Sequence, residues 1–191
     1  MKQIICLYGQ PASGKTTQAE LLAKKFNFSI FGMGETLRAE VASGSELGQA
    51  IKPFLDNGTL ISDDLMAKII TRAGEKAGDA GLIFDGFPRM ISQANMLDKV
   101  VADNNWEIIA LIHLNISPET ALARIKNRAQ NSTAFRSDDN NDEAIKNRFA
   151  VFQKESVPLL DFYRSRNLLQ EINGELNIEE VESLIIKSLA L

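Results

Sequence analysis

The apolar run Ile-Ile-Cys-Leu-Tyr at 4–8 stops at Gly9, continues as Gln-Pro-Ala-Ser-Gly-Lys-Thr to residue 16, and passes at once into a stretch with helical periodicity. Few folds accommodate a buried strand, a tight turn and a helix in so little chain. Glycine at 9 and 14 lets the backbone curl so that successive N–H groups converge, and the helix that starts beside Gly14 points the positive end of its dipole at the same spot. The spacing G-x-x-x-x-G-K-[ST] in that context is a phosphate loop. Gly9, Ala12, Ser13, Gly14, Lys15, Thr16 and Thr17 are therefore the candidates to hold a nucleoside triphosphate. Lys15 is placed to neutralise the β and γ phosphates, and the hydroxyl of Thr16, or that of Thr17, to help hold Mg²⁺, which prefers oxygen ligands.

A strand that feeds such a loop belongs to a parallel sheet, and the rest of the chain agrees. Strand-like apolar runs at 3–8, 29–31, 82–85, 108–114 and 168–172 alternate with helical segments at 14–26, 34–42, 45–57, 63–77, 92–104, 118–129, 142–151, 155–166 and 178–189. Runs such as 108–112, Ile-Ile-Ala-Leu-Ile, are continuously apolar, so the strands are expected to be buried on both faces. The pattern predicts an α/β fold: a five-stranded parallel sheet with helices on both faces, of the phosphate-loop nucleoside triphosphate hydrolase type. With 191 residues, 45 % of them apolar, the chain suffices for one domain. Two regions break the alternation: 32–71 strings helices together without a strand, and 127–141 is polar and turn-prone, as a loop or lid would be. The expected division is a core of 1–31, 62–126 and 140–191, a helical insertion at 32–61 and a short lid at 127–139.

Charge narrows the partners. Lys and Arg number 21 against 25 Asp and Glu, for a net charge of -4, which argues against coating nucleic acid through bulk charge. Any anion site must be local. Cys6, the single cysteine, lies in an apolar run and reads as a buried hydrophobe, so no intramolecular disulfide is expected and a reducing, cytoplasmic setting fits. No export signal and no run near the roughly 20 apolar residues of a bilayer crossing is present, so no membrane role is expected.

Two further features bear on chemistry. The strand 82–85 ends in Asp85, followed by Gly-Phe-Pro and Arg89; an acid at that strand end is placed to organise Mg²⁺ in phosphate-loop proteins. Arg124 and Arg128, four residues apart, share a helix face, with Arg136 in the polar loop and Arg148 on the next helix. These arginines form either a solvated face paired with Asp138, Asp139, Asp142 and Glu143, or a set that binds several phosphates bidentately. There is no Asn-Lys-x-Asp guanine-selecting motif. His113 reads as a satisfied strand-end residue rather than a general base, and Trp106 as a packing anchor.

Together these residues resemble the adenylate kinase family in its short-lid form. The stretch 9–18 resembles its phosphate loop, Gly34-Glu-Thr-Leu-Arg38 its Gly-Asp-x-Leu-Arg, Asp85-Gly-Phe-Pro-Arg89 its Asp-Gly-Phe-Pro-Arg signature, and Arg124, Arg128 and Arg136 its lid arginines. Ser62-Asp-Asp-Leu65 resembles its Thr-Asp-Glu-Leu stretch. The resemblance implies that Lys15, Arg89, Arg124, Arg128, Arg136 and Arg148 surround the transferred phosphoryl group. It implies an acceptor AMP held by Arg38 and Arg89, with Met33, Gly34, Gly86, Gln93, Arg136, Arg148 and the backbone at Thr59, Leu60 and Ile61 around it. Donor adenine would meet carbonyls near Gly174 and Leu176, Thr16 and Asp85 would serve Mg²⁺ largely through water, and Phe87-Pro88 is a candidate cis bond.

The implied reaction is reversible transfer of the γ-phosphoryl group from MgATP to AMP, giving two ADP, by a monomer without structural zinc. A UMP/CMP kinase of the same family, or a nucleotide-binding protein without turnover, are the alternatives. The sequence departs from the family pattern at Met33, usually threonine, at Glu35, usually aspartate, and at Ala12 and Thr16, both usually glycine. At Ala12 the reading requires only an allowed backbone angle.

Overall fold

The fold is taken from a computed structural model, which describes residues 1–56, 61–131 and 142–189. In chain order the elements are β1 (Lys2–Tyr8), α1 (Lys15–Phe26), β2 (Ser29–Gly32), α2 (Met33–Ala42), α3 (Glu46–Asp56), α4 (Asp63–Lys76), β3 (Leu82–Asp85), α5 (Ile91–Asp103), β4 (Trp106–Asn115), α6 (Pro118–Asn131), α7 (Asp142–Arg164), β5 (Leu169–Asn173) and α8 (Ile178–Leu189). The five strands form one sheet in the order β2-β3-β1-β4-β5, and each neighbouring pair is parallel.

Alternation along β1 sorts the two layers. Ile4, Cys6 and Tyr8 face a core with Phe31, Phe84, Phe87, Leu97 of α5 and Leu159 and Tyr163 of α7. Ile5 and Leu7 face the opposite core, made with Ala19 and Leu22 of α1 and Val181 and Ile185 of α8. Burial on both faces holds for β1, β3 and the middle of β4, whereas β2 and β5, the sheet edges, are only partly covered. With β3 on one side of β1 and β4 on the other, the connection from β1 runs to β2 on one side while that from its neighbour β3 runs to β4 on the other. Such a switch point opens a crevice where α/β sheets bind ligands.

Three anchors shape the surroundings of that crevice. Phe31, Phe84 and Phe87 meet at ring distances of 4.9, 5.6 and 6.3 Å and support the turn after β3 from below, where the Phe87–Pro88 bond is cis as anticipated. Trp106 packs over Gly74, where an added Cβ would lie 2.0 Å from the indole, with the Lys2 ammonium 5.7 Å from the ring centroid. Glu40 of α2 is buried yet bonded, to Ser45 Oγ at 2.5 Å, Arg72 at 3.0 Å and Lys76 at 3.3 Å, which ties α2 to α4. Ser62 caps α4 by accepting from Leu65 N at 3.4 Å.

The structure corrects two readings of helix boundaries. Residues 142–164 are one helix, not two segments broken at 152–154. Positions 145, 149, 152, 156, 159 and 163, all at least half-buried, recur every three or four residues, so the inward stripe is continuous. Phe152 belongs to it, stacked on Tyr8 at 5.4 Å. In addition, α6 continues to Asn131, so 127–131 at the expected start of the lid are helical.

Candidate active site

A cavity of about 1130 Å³ opens at the carboxyl ends of the central strands. Gly9, Ala12, Ser13, Gly14, Lys15, Thr16 and Thr17 line it, together with Asp85, Gly86, Arg89, Arg124, Arg128, Arg148, Gly174 and Leu176. Among the described residues, five cations share the cavity wall with two acids, Asp85 and Glu179, so positive charge is locally concentrated in an otherwise acidic chain. Arg124, Arg128 and Arg148 are each half-buried and face a common space.

The turn achieves its shape through unusual backbone angles. Gly9 has φ 148°, where a Cβ would come within 2.6 Å of the Leu114 carbonyl oxygen, and Gly14 has φ 96°. Ala12 has φ 60°, a left-handed conformation. The angle falls in the small left-handed region that remains allowed to L-residues, one that glycine adopts freely and alanine adopts under strain.

The cationic groups are held by oxygens of the cradle itself. Lys15 Nζ donates to the carbonyls of Gly9 and Gln10 at 2.8 and 2.9 Å and lies 3.2 Å from Ser13 Oγ. Arg89 Nε donates to Gly86 O at 2.7 Å, while Arg124 donates to Gly174 O at 2.9 Å and Ala12 O at 3.5 Å. Phosphate oxygens are stronger acceptors for guanidinium and ammonium than these neutral carbonyls.

Parallel register sets Asp85 opposite Leu7, and Gly86 N donates to Leu7 O at 3.0 Å, so the end of β3 is carried to the phosphate loop. There Thr16 Oγ1 donates to Asp85 Oδ2 at 2.7 Å. Two hard oxygen donors at that separation fit a Mg²⁺ ion that takes its other ligands from water and phosphate. Among the described residues no group of three or more His, Cys, Asp or Glu is gathered as a metal site.

Titration in the neighbourhood follows burial. The Tyr8 hydroxyl is pushed up to about 12, first by burial and then by Glu155, against Arg89. Burial holds His113 below its usual value, with Glu171 opposing, so it stays neutral near pH 7. Its Nδ1 lies 3.6 Å from Glu171, too far for a hydrogen bond, and has no other partner. The expectation of a satisfied histidine is thus corrected, while its exclusion as a base fits its absence from the cavity wall. Cys6 is fully buried and Trp106 is a packing residue, as read from the sequence.

The acceptor side is less assembled. Met33 packs against the core, Gly34 sits beside the Arg38 guanidinium, Ile61 is half-buried, and Gln93 Oε1 accepts from Arg89 N at 2.8 Å. None of these, nor Arg38 itself, lines the cavity. Thr59, Leu60 and Arg136 lie outside the described residues.

Sequence reasoning missed Tyr8, Gln18, Asn147, Val151, Phe152 and Ile178 in the cavity wall. Val151 and Phe152 stand three and four residues after Arg148; that spacing is available for Val151 within the expected helix 142–151, and for Phe152 only once α7 is unbroken. No helix among the described residues is long and apolar enough to cross a membrane.

Comparison with known proteins gives concordant matches. Residues 7–168 match a family model described as adenylate kinase. The chain is 40 % identical over 184 residues to an adenylate kinase of Nautilia profundicola, covering 95 % of this chain and 93 % of that one. It is 37 % identical over 171 residues to an adenylate kinase of Bacteroides thetaiotaomicron, with 89 % of each covered. A Leptospira biflexa adenylate kinase is 36 % identical over 190 residues, covering 99 % of this chain and all of its own.

Proposed function

The chain belongs to the adenylate kinase family and is a phosphotransferase, and we propose that Lys15, Arg89, Arg124, Arg128, Arg136 and Arg148 surround the phosphoryl group as it moves from MgATP to AMP to give two ADP. One observation carries the reading: five of those cations and the Thr16–Asp85 pair converge on a single cavity built over a phosphate loop.

Donor triphosphate lies along Gly9 to Thr17, displacing the carbonyls that hold Lys15 and Arg124 in favour of phosphate oxygens. Its adenine meets the segment at Gly174 and Leu176. AMP approaches from the side of Arg38 and Arg89, with Gln93 reading its base and Met33, Gly34, Gly86 and residues 59–61 around it. Thr16 and Asp85 would hold, largely through water, the Mg²⁺ that accompanies ATP, and the ion would supply neutralisation of phosphate charge. The acceptor phosphate is already an anion, so no base is needed, consistent with a neutral His113 outside the cavity. In-line transfer then rests on positioning and on guanidinium charge facing the equatorial oxygens, with no covalent enzyme intermediate. The insertion at 32–61 and the lid at 127–139 close over the nucleotides to keep water from taking the phosphoryl group. The enzyme acts as a cytoplasmic monomer, without zinc, nucleic acid or membrane.

The test is ADP formation from MgATP with AMP, dAMP, CMP, UMP and GMP in parallel, beside Met33→Thr. AMP should lead by a hundredfold or more in kcat/KM, equivalent to about 2.7 kcal/mol. A lead for CMP or UMP would transfer the assignment to the UMP/CMP branch and make residue 33 responsible, and binding without ADP formation would leave a nucleotide-binding protein.

A further inference from the structure

Gln18 lies on the first turn of α1, three residues after the phosphate-loop lysine, yet its side chain reaches a different part of the molecule. It is only 3 % exposed, lines the cavity, and donates from Nε2 to the carbonyl of Ile178 at 3.0 Å. That bond fixes the orientation of the amide, because a carbonyl accepts only from the nitrogen end. Oε1 is then left buried with no hydrogen-bond partner. An apolar side chain of similar length would fill the space without stranding an oxygen, so packing alone does not account for an amide here.

What the amide joins is informative. The segment around Gly174 is fastened by its first half to the β4–α6 turn: Gly174 N donates to Asn115 O at 2.8 Å, and Glu175 accepts from Ser117 N at 2.6 Å. Its second half leads into α8 through a reciprocal cap, with Glu180 N donating to Asn177 Oδ1 at 2.9 Å and Asn177 N to Glu180 Oε2 at 3.2 Å. Gln18 ties that second half to the helix on which the phosphate loop ends. A donor nucleotide spans the same two elements, its triphosphate on one and its base on the other.

We infer that Gln18 is a positioning residue for the donor nucleotide, setting the distance between the segment that meets the base and the loop that holds the triphosphate. This rests on the donor-site reading above. The stability it forgoes through Oε1 is exchanged for a rigid spacing, and rigid spacing acts only on ligands that possess both a base and a triphosphate.

The test compares wild type with Gln18→Met, and with Gln18→Leu as a second apolar replacement, by calorimetric titration with ATP and with inorganic tripolyphosphate, plus thermal unfolding and KM for AMP. The inference expects ATP to bind about tenfold more weakly, tripolyphosphate within twofold of wild type, KM for AMP unchanged and Tm unchanged or higher. Equal weakening of ATP and tripolyphosphate would make Gln18 a prop of the phosphate loop and overturn the inference. So would undiminished ATP affinity, or failure of both variants to fold. A wild type that binds ATP no better than tripolyphosphate would instead remove the base subsite, and the inference with it.

Discussion

Replacing Ala12 by glycine should stabilise the protein, in contrast to the usual direction of an alanine-to-glycine change. At φ 60° the alanine Cβ is crowded against its own backbone, and an L-residue in that region lies about 1–2 kcal/mol above its right-handed alternative. Glycine removes the crowding, while its greater freedom in the unfolded chain takes back about 0.5–1 kcal/mol. The net is a gain of about 0.5–1 kcal/mol, which for a chain of this length raises Tm by about 1–4 °C. Ala12→Val tests the same reasoning from the other side, because a β-branched residue at positive φ should lose about 1 kcal/mol or more. Both melts belong in nucleotide-free buffer, since a ligand that binds only the folded state adds its own stabilisation and would mask the difference. A lower Tm for Ala12→Gly, or a higher one for Ala12→Val, would refute the strain at this position.

Lys15→Met and Arg89→Ala should each lower kcat by orders of magnitude while circular dichroism and Tm stay close to wild type; near-normal turnover in either would contradict the assigned roles. Ser45 Oγ, then Lys76 and Arg72, hold the Glu40 carboxyl below its ordinary value in opposition to burial. A lowered folded value means that the carboxylate stabilises above the unfolded value near 4.5 and loses this as pH falls through the folded one. Glu40→Gln should therefore reduce stability by about 2 kcal/mol at pH 7, less than for a fully buried pair because Arg72 and Lys76 reach solvent, and the gap should shrink in urea titrations toward pH 3. Gly74→Ala drives a methyl into Trp106 and should lower the urea midpoint by an amount equivalent to about 1–3 kcal/mol; an unchanged midpoint would show that the indole moves aside freely.

How much could be read in advance depends on what kind of constraint each residue answers to. The phosphate loop, Asp85 and Arg89 were legible because anion binding at a strand end restricts residue type and spacing together, and few other chemistries would place Gly9, Gly14, Lys15 and an acid-turn-arginine in that order. The five strands were legible for a related reason: central parallel strands are covered on both faces, so apolar continuity marks them directly. The stretch 152–154 reads as a break because Gln153 and Lys154 are polar, although Phe152 stands at helical spacing from Ile145 and Leu159 on the inward face of one helix. That inward stripe also includes Ser156, a buried polar residue, which an apolar pattern does not mark.

What remained illegible shares a single physical character, namely properties that belong to pairs of elements and not to any one of them. Ala12 carries no mark of its φ in the sequence; the angle is imposed by a strand and a helix that must both meet the same turn. Gln18 looks like any polar residue on the first turn of a helix, and its amide acquires meaning only because α8 begins beside it. The site's charges can be listed from sequence, since phosphate chemistry demands them. Variants at Ala12 and Gln18 therefore probe the backbone angle and the buried amide that the packed elements impose, whereas variants at Lys15 and Arg89 probe the charges that the sequence already displays.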